Sequence, residues 1–134
     1  MNTRYINTDL DIVSFEDLTP LAAAFDAFGE RGMFALNAIP LEGEWRANFE
    51  LNGCETGKDP ETTIRGMLDL IERLDAATAS IWSNCTKREF NIGLQCGLEP
   101  HFIEYRLSTA LMRRIVNAGG SVGITLYRHT ADNA

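Results

Sequence analysis

The stretch L-S-T-A-L-M-R-R-I-V-N-A-G-G-S-V-G-I-T-L-Y, from Leu107 to Tyr127, predicts a helix, a glycine stop and a closing strand. Ser108 is a typical N-cap residue, because its hydroxyl can accept a hydrogen bond from a backbone N–H of the first helical turn. Gly119 and Gly120 offer the left-handed conformation that commonly ends a helix. The residues that follow alternate as in a half-buried strand, with Val122, Ile124 and Leu126 facing one way and Gly123, Thr125 and Tyr127 the other.

The rest of the chain shows similar signals. The clearest strand is predicted at 45–51, where apolar and polar residues alternate without exception. Further strands are predicted at 10–13, 33–40 and 89–96, and helices at 14–29, 60–74 and 76–83. Asp9 and Asp11 lie on the opposite side of the first strand from Leu10 and Ile12.

The starts of the helices are predicted from capping residues. Two starts compete for the first helix: Ser14 with Asp17 three residues later, or Thr19 as N-cap with Pro20 at the first helical position. The next helix has one clear start, with Asp59 as its N-cap before a proline. Asp75 is in the same way expected to cap the short helix at 76–83.

Strands that alternate, rather than run continuously apolar, indicate a sheet with one covered face and one polar face. We therefore predict an α+β two-layer sandwich with a five-stranded, mixed but mostly antiparallel sheet and helices packed on one face. The 134 residues suit a single domain (1–134), with flexible ends at 1–4 and 129–134. The predicted core consists of Trp45, Phe49, Ile92, Leu94, Ile124 and Leu126 from the strands and Phe25, Leu68, Ile71 and Ile115 from the helices.

The charge of the chain bears on its partners. Nineteen acidic residues against twelve basic ones give a net charge of −7, and the first 60 residues carry all of this excess. Nucleic-acid binding depends on Lys and Arg that neutralise phosphates, so we expect no nucleic-acid partner. Anionic membranes are excluded for the same reason. The excess of carboxylates suits solubility or a basic protein partner.

The sequence shows neither an apolar leader nor a run of the ~20 apolar residues that a membrane span requires. We therefore expect a cytoplasmic protein, in which Cys54, Cys85 and Cys96 remain free thiols. The residues from Gly53 to Lys58 superficially resemble a phosphate-binding loop. They lack the required spacing between glycines, and an aspartate follows the lysine where Ser or Thr is needed.

Metal and nucleophile chemistry have little support. His101 and Glu104 are three residues apart in a segment expected to be extended, which would separate them, and His129 lies in the tail. No cysteine spacing fits a zinc site, so we expect no metal and no cofactor. Cys96 is close to His101 in sequence, but it continues the apolar face of its strand and is better explained by packing.

The polar face of the predicted sheet is the remaining candidate for a binding site. Gly93 and Gly123 occupy positions on this face and would leave a shallow depression between longer side chains. The candidate binding residues are Arg46, Asn48 and Glu50 on one strand, Asn91 and Gln95 on another, and Thr125 and Tyr127 on the last.

The residues 107–112, 117–122 and 124–127, together with Phe90-Asn91-Ile92-Gly93, carry a family resemblance. They are similar to a family of small bacterial domains of unknown function, which share a Leu-Ser-x-x-Leu helix, a glycine-ended turn and an apolar strand closing in tyrosine. Some such domains resemble immunity proteins against bacterial toxins. The resemblance implies an interaction domain and supplies no catalytic residues.

Two functional hypotheses follow. The first is a non-enzymatic binding domain, immunity-like, whose partner is another protein or a second copy of the chain. The second is a small-molecule binder or an enzyme that uses the polar face. In that case Arg46 would hold an anionic group, Glu50 would act as a base, and Asn91 and Tyr127 would orient the substrate.

Overall fold

The computed structural model describes residues 2–53 and 59–128. The described residues do not include 54–58 and 129–134. The predictions made for Cys54, for the loop up to Lys58 and for His129 therefore lie outside them. The described residues form five strands: β1 (Arg4–Ser14), β2 (Met33–Leu41), β3 (Glu44–Leu51), β4 (Lys87–Gln95) and β5 (Ser121–Tyr127). The four α-helices are α1 (Thr19–Asp26), α2 (Pro60–Ile71), α3 (Ala76–Ser83) and α4 (Thr109–Asn117), and a short 3-10 turn covers Gly29–Arg31.

The strands form one mixed sheet in the order β2-β3-β1-β4-β5. All neighbouring pairs are antiparallel except β4 and β5, which are parallel. The predicted α+β fold with a mixed, mostly antiparallel sheet is confirmed. The strand β1 lies at the centre and is longer than predicted, because residues 4–9 do not show the apolar alternation by which a strand is predicted.

The first helix differs from both predicted starts. Ser14 belongs to β1, so the earlier start is wrong. The later start is off by one residue: the helix begins at Thr19, and the buried Leu18 stands at the N-cap without a side-chain cap. The carboxylate of Asp17 instead accepts a hydrogen bond from the backbone N–H of Thr19 at 2.8 Å.

The other helix ends agree with the sequence. Asp59, Asp75 and Ser108 each accept a hydrogen bond from a backbone N–H in the first turn of the helix that they cap. Gly119 has a φ of +74° and follows the last turn of α4. Its N–H donates to the carbonyl of Val116, and the next residue's N–H donates to the carbonyl of Ile115, which is the Schellman pattern.

The core lies between the helices and one face of the sheet. It confirms the predicted burial of Phe49 and Ile92 from the strands and of Phe25, Leu68, Ile71 and Ile115 from the helices. Trp45 and Leu94 are half-buried against it.

The predicted burial of Ile124 and Leu126 is wrong, because these two residues are 64% and 63% exposed. Both lie level with apolar residues of β4, on the side of the sheet that the helices cover. Since β5 is an edge strand, the described residues place a neighbouring strand on one side of it only. Val122, nearer the start of β5, is half-buried against the core, whereas the second half of the strand is left open.

Arg88 joins the ends of two helices to the sheet. Its guanidinium donates hydrogen bonds of 2.9–3.1 Å to the carbonyls of Trp82, Ser83 and Cys85 at the end of α3. Its Nε donates to the carbonyl of Gly119 after α4, at 2.9 Å. A positive charge is well placed here, since the carbonyls at a helix C-terminus carry partial negative charge.

We expect Arg88→Lys to lower the free energy of unfolding by about 2–3 kcal/mol, since an ammonium group cannot reach all four carbonyls at once. Urea denaturation followed by circular dichroism measures the loss. Arg65→Lys is the matched control, because Arg65 pairs with Glu61 on the exposed side of α2. Its loss should stay below about 0.5 kcal/mol. Equal losses in the two variants would contradict this role of Arg88.

The position of β5 gives a second prediction about stability. Phe90→Ala empties a fully buried site and should cost about 3–5 kcal/mol. Ile124→Ala, in the neighbouring strand, should cost less than about 1 kcal/mol, because most of the Ile124 side chain is already in water. Urea denaturation at low micromolar protein concentration tests both. A loss above 2 kcal/mol for Ile124→Ala would show that this side of β5 is covered.

Candidate functional site

The open face of the sheet is the candidate site, because the core and the helices occupy the other face. The open face of the three inner strands carries five carboxylates. Glu44, at the start of β3, pairs with the guanidinium of Arg46 at 3.4 Å. We call the other four the acidic face: Asp9, Asp11, Glu50 and Glu89. Asp9 on β1 is in register with Glu50 on β3, and Asp11 is in register with Glu89 on β4. Directly opposite residues in an antiparallel pair have Cβ atoms about 4.5–5.5 Å apart, so like charges are held close.

The proximity of these carboxylates changes their protonation. The pKa of Asp9 is raised from 3.8 to about 6, first by burial and then by the negative charges of Glu50 and Asp11. The pKa of Asp11 is also raised, chiefly by burial and further by the charge of Glu89, although Asn48 and Lys87 act in the opposite direction. The fold therefore holds the carboxylates of Asp9 and Asp11 in surroundings that destabilise their negative charge.

Amide side chains alternate with the carboxylates. The Asn48 amide donates a hydrogen bond to Asp11. The amide of Asn7 donates to Asp9 Oδ1 at 3.2 Å, and that of Asn91 to Glu89 Oε1 at 3.4 Å. These hydrogen bonds hold the carboxylates in place but do not neutralise their negative charge.

The residues predicted for the polar face fall into two groups. Arg46, Asn48 and Glu50 follow one another along β3. On the other side of β1, Asn91 accepts a hydrogen bond of 2.9 Å from the hydroxyl of Thr125. The central strand thus separates the two groups and contributes two of the four carboxylates.

Gln95 and Tyr127 lie at the far end of this face. Gln95 is only 8% exposed, and its amide donates to the backbone carbonyls of Tyr127 and Arg128 at 3.2 and 3.4 Å. Its side chain therefore joins the ends of β4 and β5 rather than facing solvent. Tyr127 itself is exposed and in register with Gln95.

The residues of the small-molecule hypothesis do not meet at one point. Arg46 on β3 and Lys87 at the start of β4 are both in register with Val13 on β1, so they lie at the same level of the sheet. Tyr127 lies level with Gln95 at the end of the same strand. Eight residues of strand separate these levels, which is about 26 Å at the usual rise per residue.

The depression expected above Gly93 and Gly123 is filled by neighbouring side chains. A Cβ atom at Gly123 would lie 2.8 Å from the carboxylate carbon of Glu89, and one at Gly93 would lie 3.4 Å from the ring of Tyr127. A depression of about 200 Å³ is found elsewhere on the face, where Asp11, Asn48, Arg46 and Lys87 surround Val13. It is smaller than the ~300 Å³ at which typical ligand pockets begin.

Sequence reasoning did not include Asp9, Asp11 and Glu89 among the site residues. The alternation of β1 already placed the two aspartates opposite Leu10 and Ile12. What the sequence did not show is that β1 lies between β3 and β4, which brings its aspartates next to Glu50 and Glu89.

Thiols and metal ligands add no second site in residues 2–53 and 59–128. In these ranges no three His, Cys, Asp or Glu side chains are grouped so as to hold a metal ion. Cys85 and Cys96 are free thiols. Burial raises the pKa of Cys85 to about 11, which disfavours the reactive thiolate. Within the same ranges, every helix is too short or too polar to cross a membrane.

Comparisons with protein-family models, with curated proteins and with solved structures found no match.

The raised pKa of Asp9 predicts how stability depends on pH. Since the folded-state pKa of about 6 lies above the ordinary 3.8, the folded chain binds more protons than the unfolded chain between these values. Its stability should therefore fall as the pH rises through this window. We expect Asp9→Asn to raise the free energy of unfolding by about 1–2 kcal/mol at pH 7.5, after allowance for solvent screening.

Near pH 3.5 most of the gain should be lost, because Asp9 is then protonated in the folded chain and largely protonated in the unfolded chain. Urea denaturation at the two pH values measures the difference. Asp26→Asn removes an exposed carboxylate at the end of α1 and should change stability by less than about 0.5 kcal/mol at either pH. The same gain for Asp9→Asn at both pH values would contradict the repulsion described here.

Proposed function

We propose that the protein is a non-enzymatic binding domain that recognises a basic surface of a partner protein through the acidic face. The observation that carries the proposal is the register that places Asp9 beside Glu50 and Asp11 beside Glu89 on a face that no described helix covers. The raised pKa of Asp9 and of Asp11 agrees with this crowding of negative charge. Carboxylates held together at a cost to folding are common at functional sites. A partner that brings Lys or Arg side chains would relieve the repulsion and gain charge-assisted hydrogen bonds.

The shape of the face favours a protein over a small molecule. The four carboxylates lie on three adjacent strands, and the nearby depression is shallow. Broad, flat surfaces with dispersed charge suit protein interfaces, in which charge complementarity sets orientation and association rate. The same charges would repel nucleic-acid phosphates, so the partner is not DNA or RNA.

An immunity-like role is the specific form of this proposal. The resemblance of the C-terminal residues to small bacterial domains suggests a toxin as the partner, with binding in the cytoplasm. A basic toxin surface would meet the acidic face, and the net charge of −7 would accelerate the encounter.

A small-molecule binder or enzyme on the same face is the second candidate. The depression around Val13 favours it, because Arg46 and Lys87 both line this space and could hold an anionic group. The two candidates predict opposite ligands at the open face: a cationic partner for the carboxylates, or an anion for the two basic side chains.

Binding of octalysine, measured by isothermal titration calorimetry at low salt, tests the proposal. The triple variant Asp9→Asn, Glu50→Gln, Glu89→Gln should bind the peptide at least tenfold more weakly than the wild type. The control variant Asp26→Asn, Glu30→Gln, Glu42→Gln removes the same charge from exposed positions outside the acidic face. Its affinity should stay within about twofold, because cross-strand carboxylates attract a cation together.

Equal weakening in both triple variants would show that only the net charge matters and would overturn the proposal. Amide chemical shifts provide a second readout, since octalysine should perturb β1, β3 and β4 first. Tighter binding of an anion such as inorganic phosphate, lost in Arg46→Gln, would favour the second candidate instead.

A further inference from the structure

The strand β5 is an open edge of the sheet. It is paired with β4 on one side, and no strand of the described chain lies on its other side. An edge strand presents backbone N–H and C=O groups that another strand can bind. The residues Ser121–Tyr127 include no charged residue and no proline, and the pairing with β4 runs through all seven without a register shift.

The other edge of the sheet is protected. The register of β2 shifts between Ala35 and Asn37, and Pro40 near its end lacks a backbone N–H. Bulges and prolines are two devices by which natural proteins prevent edge strands from pairing. Because β5 has neither, it is the edge on which a further strand fits.

The side chains of β5 also require a cover. Ile124 and Leu126 are largely exposed on the side of the sheet where the helices pack. Beside them, an apolar cavity of about 200 Å³ opens between the two last strands and the segment before α4, with Ile103, Tyr105 and Leu107 in its wall. Apolar surface next to an open strand edge is typical of an interface between proteins.

We propose that a second copy of this chain covers this edge through antiparallel pairing of β5 with β5, which would create a ten-stranded sheet across a twofold axis. In the register centred on Ile124, this residue meets its own copy and Val122 meets Leu126. Gly123 then lies opposite Thr125. The pairing keeps apolar side chains on one face and polar ones on the other, so the helices of both copies stay on the same side.

The charges of the chain favour an edge strand over the three inner strands as the place where two copies meet. Each copy carries a net charge of −7, and the acidic face lies on the three inner strands. Uncharged strands can approach without bringing these carboxylates into contact. In this register Leu126 of the second copy comes to lie beside Val122, which lines the apolar cavity, and so covers its mouth.

The segment 128–134 is a poor alternative occupant. It reads R-H-T-A-D-N-A and includes no large apolar side chain that could cover Ile124 and Leu126. A second copy supplies both a strand and matching apolar side chains. The shared edge of seven residues is about 23 Å long, so we expect a dimer that depends on protein concentration rather than an obligate one.

Sedimentation equilibrium from 1 to 500 µM tests the dimer. The mean mass of the wild type should rise from the 14.9 kDa of one chain towards twice that value. Ile124→Lys should remain monomeric, because a charge on an exposed edge position blocks strand pairing without disturbing the core. The matched control is Ile39→Lys on β2, the other edge, where the side chain is similarly exposed; this variant should dimerise as the wild type does.

A disulfide test fixes the register. With Cys54 and Cys96 replaced by Ser, Ile124→Cys should form a covalent dimer under mild oxidation, because only the central residue lies opposite its own copy. Ile39→Cys in the same background should not. A wild type that stays monomeric throughout the concentration range would overturn the proposal, and so would dimerisation lost in Ile39→Lys but kept in Ile124→Lys. The octalysine experiment probes carboxylates on the three inner strands, whereas sedimentation probes the edge strand β5, so either proposal can fail without the other.

Discussion

The register of β1 decides which residues of the sheet are buried and which lie open to solvent. Leu10 and Ile12 are fully buried beneath the helices, and Asp9 and Asp11 lie on the opposite face. Because β1 is paired on both sides, a shift of one residue would bury two carboxylates and expose two core residues. A register shift near Tyr5 allows that ring to join the core, where its hydroxyl bonds to the buried Thr63 at 3.2 Å. The alternation of side chains along β1 therefore produces both the core and the acidic face.

Features that depend on neighbours in sequence could be predicted, and those that depend on strand order could not. The caps at Asp59, Asp75 and Ser108 are local, since each side chain bonds to an N–H three residues later. The exposure of Ile124 is not local. Its alternation is that of a buried strand, and only its place at the edge of the sheet leaves it in water. The role of Arg88 was missed for the same reason, because two of the groups that it joins, α3 and Gly119, are brought together by the fold.

The candidate site shows the same division. The sequence placed Arg46, Asn48 and Glu50 on a polar face, and alternation alone was enough for this. The alternation of β4 also predicted Gln95 on this face, but alternation does not reveal that the Gln95 amide donates a hydrogen bond to a backbone carbonyl at the end of β5. The electrostatic centre of the face arises from pairs such as Asp9 with Glu50, which are about 40 residues apart in the chain. Such a pair becomes visible only when the neighbours of β1 are known.

The distribution of charge across the sheet separates two modes of association. Both edge strands, β2 and β5, lack charged residues, whereas the three inner strands carry the acidic face. A copy bound at the edge and a basic partner bound at the face would therefore not compete for the same residues. The twofold dimer would also present two acidic faces on one continuous sheet. A partner with two basic patches could then bind both, and the second contact would form at the high effective concentration that the first contact creates.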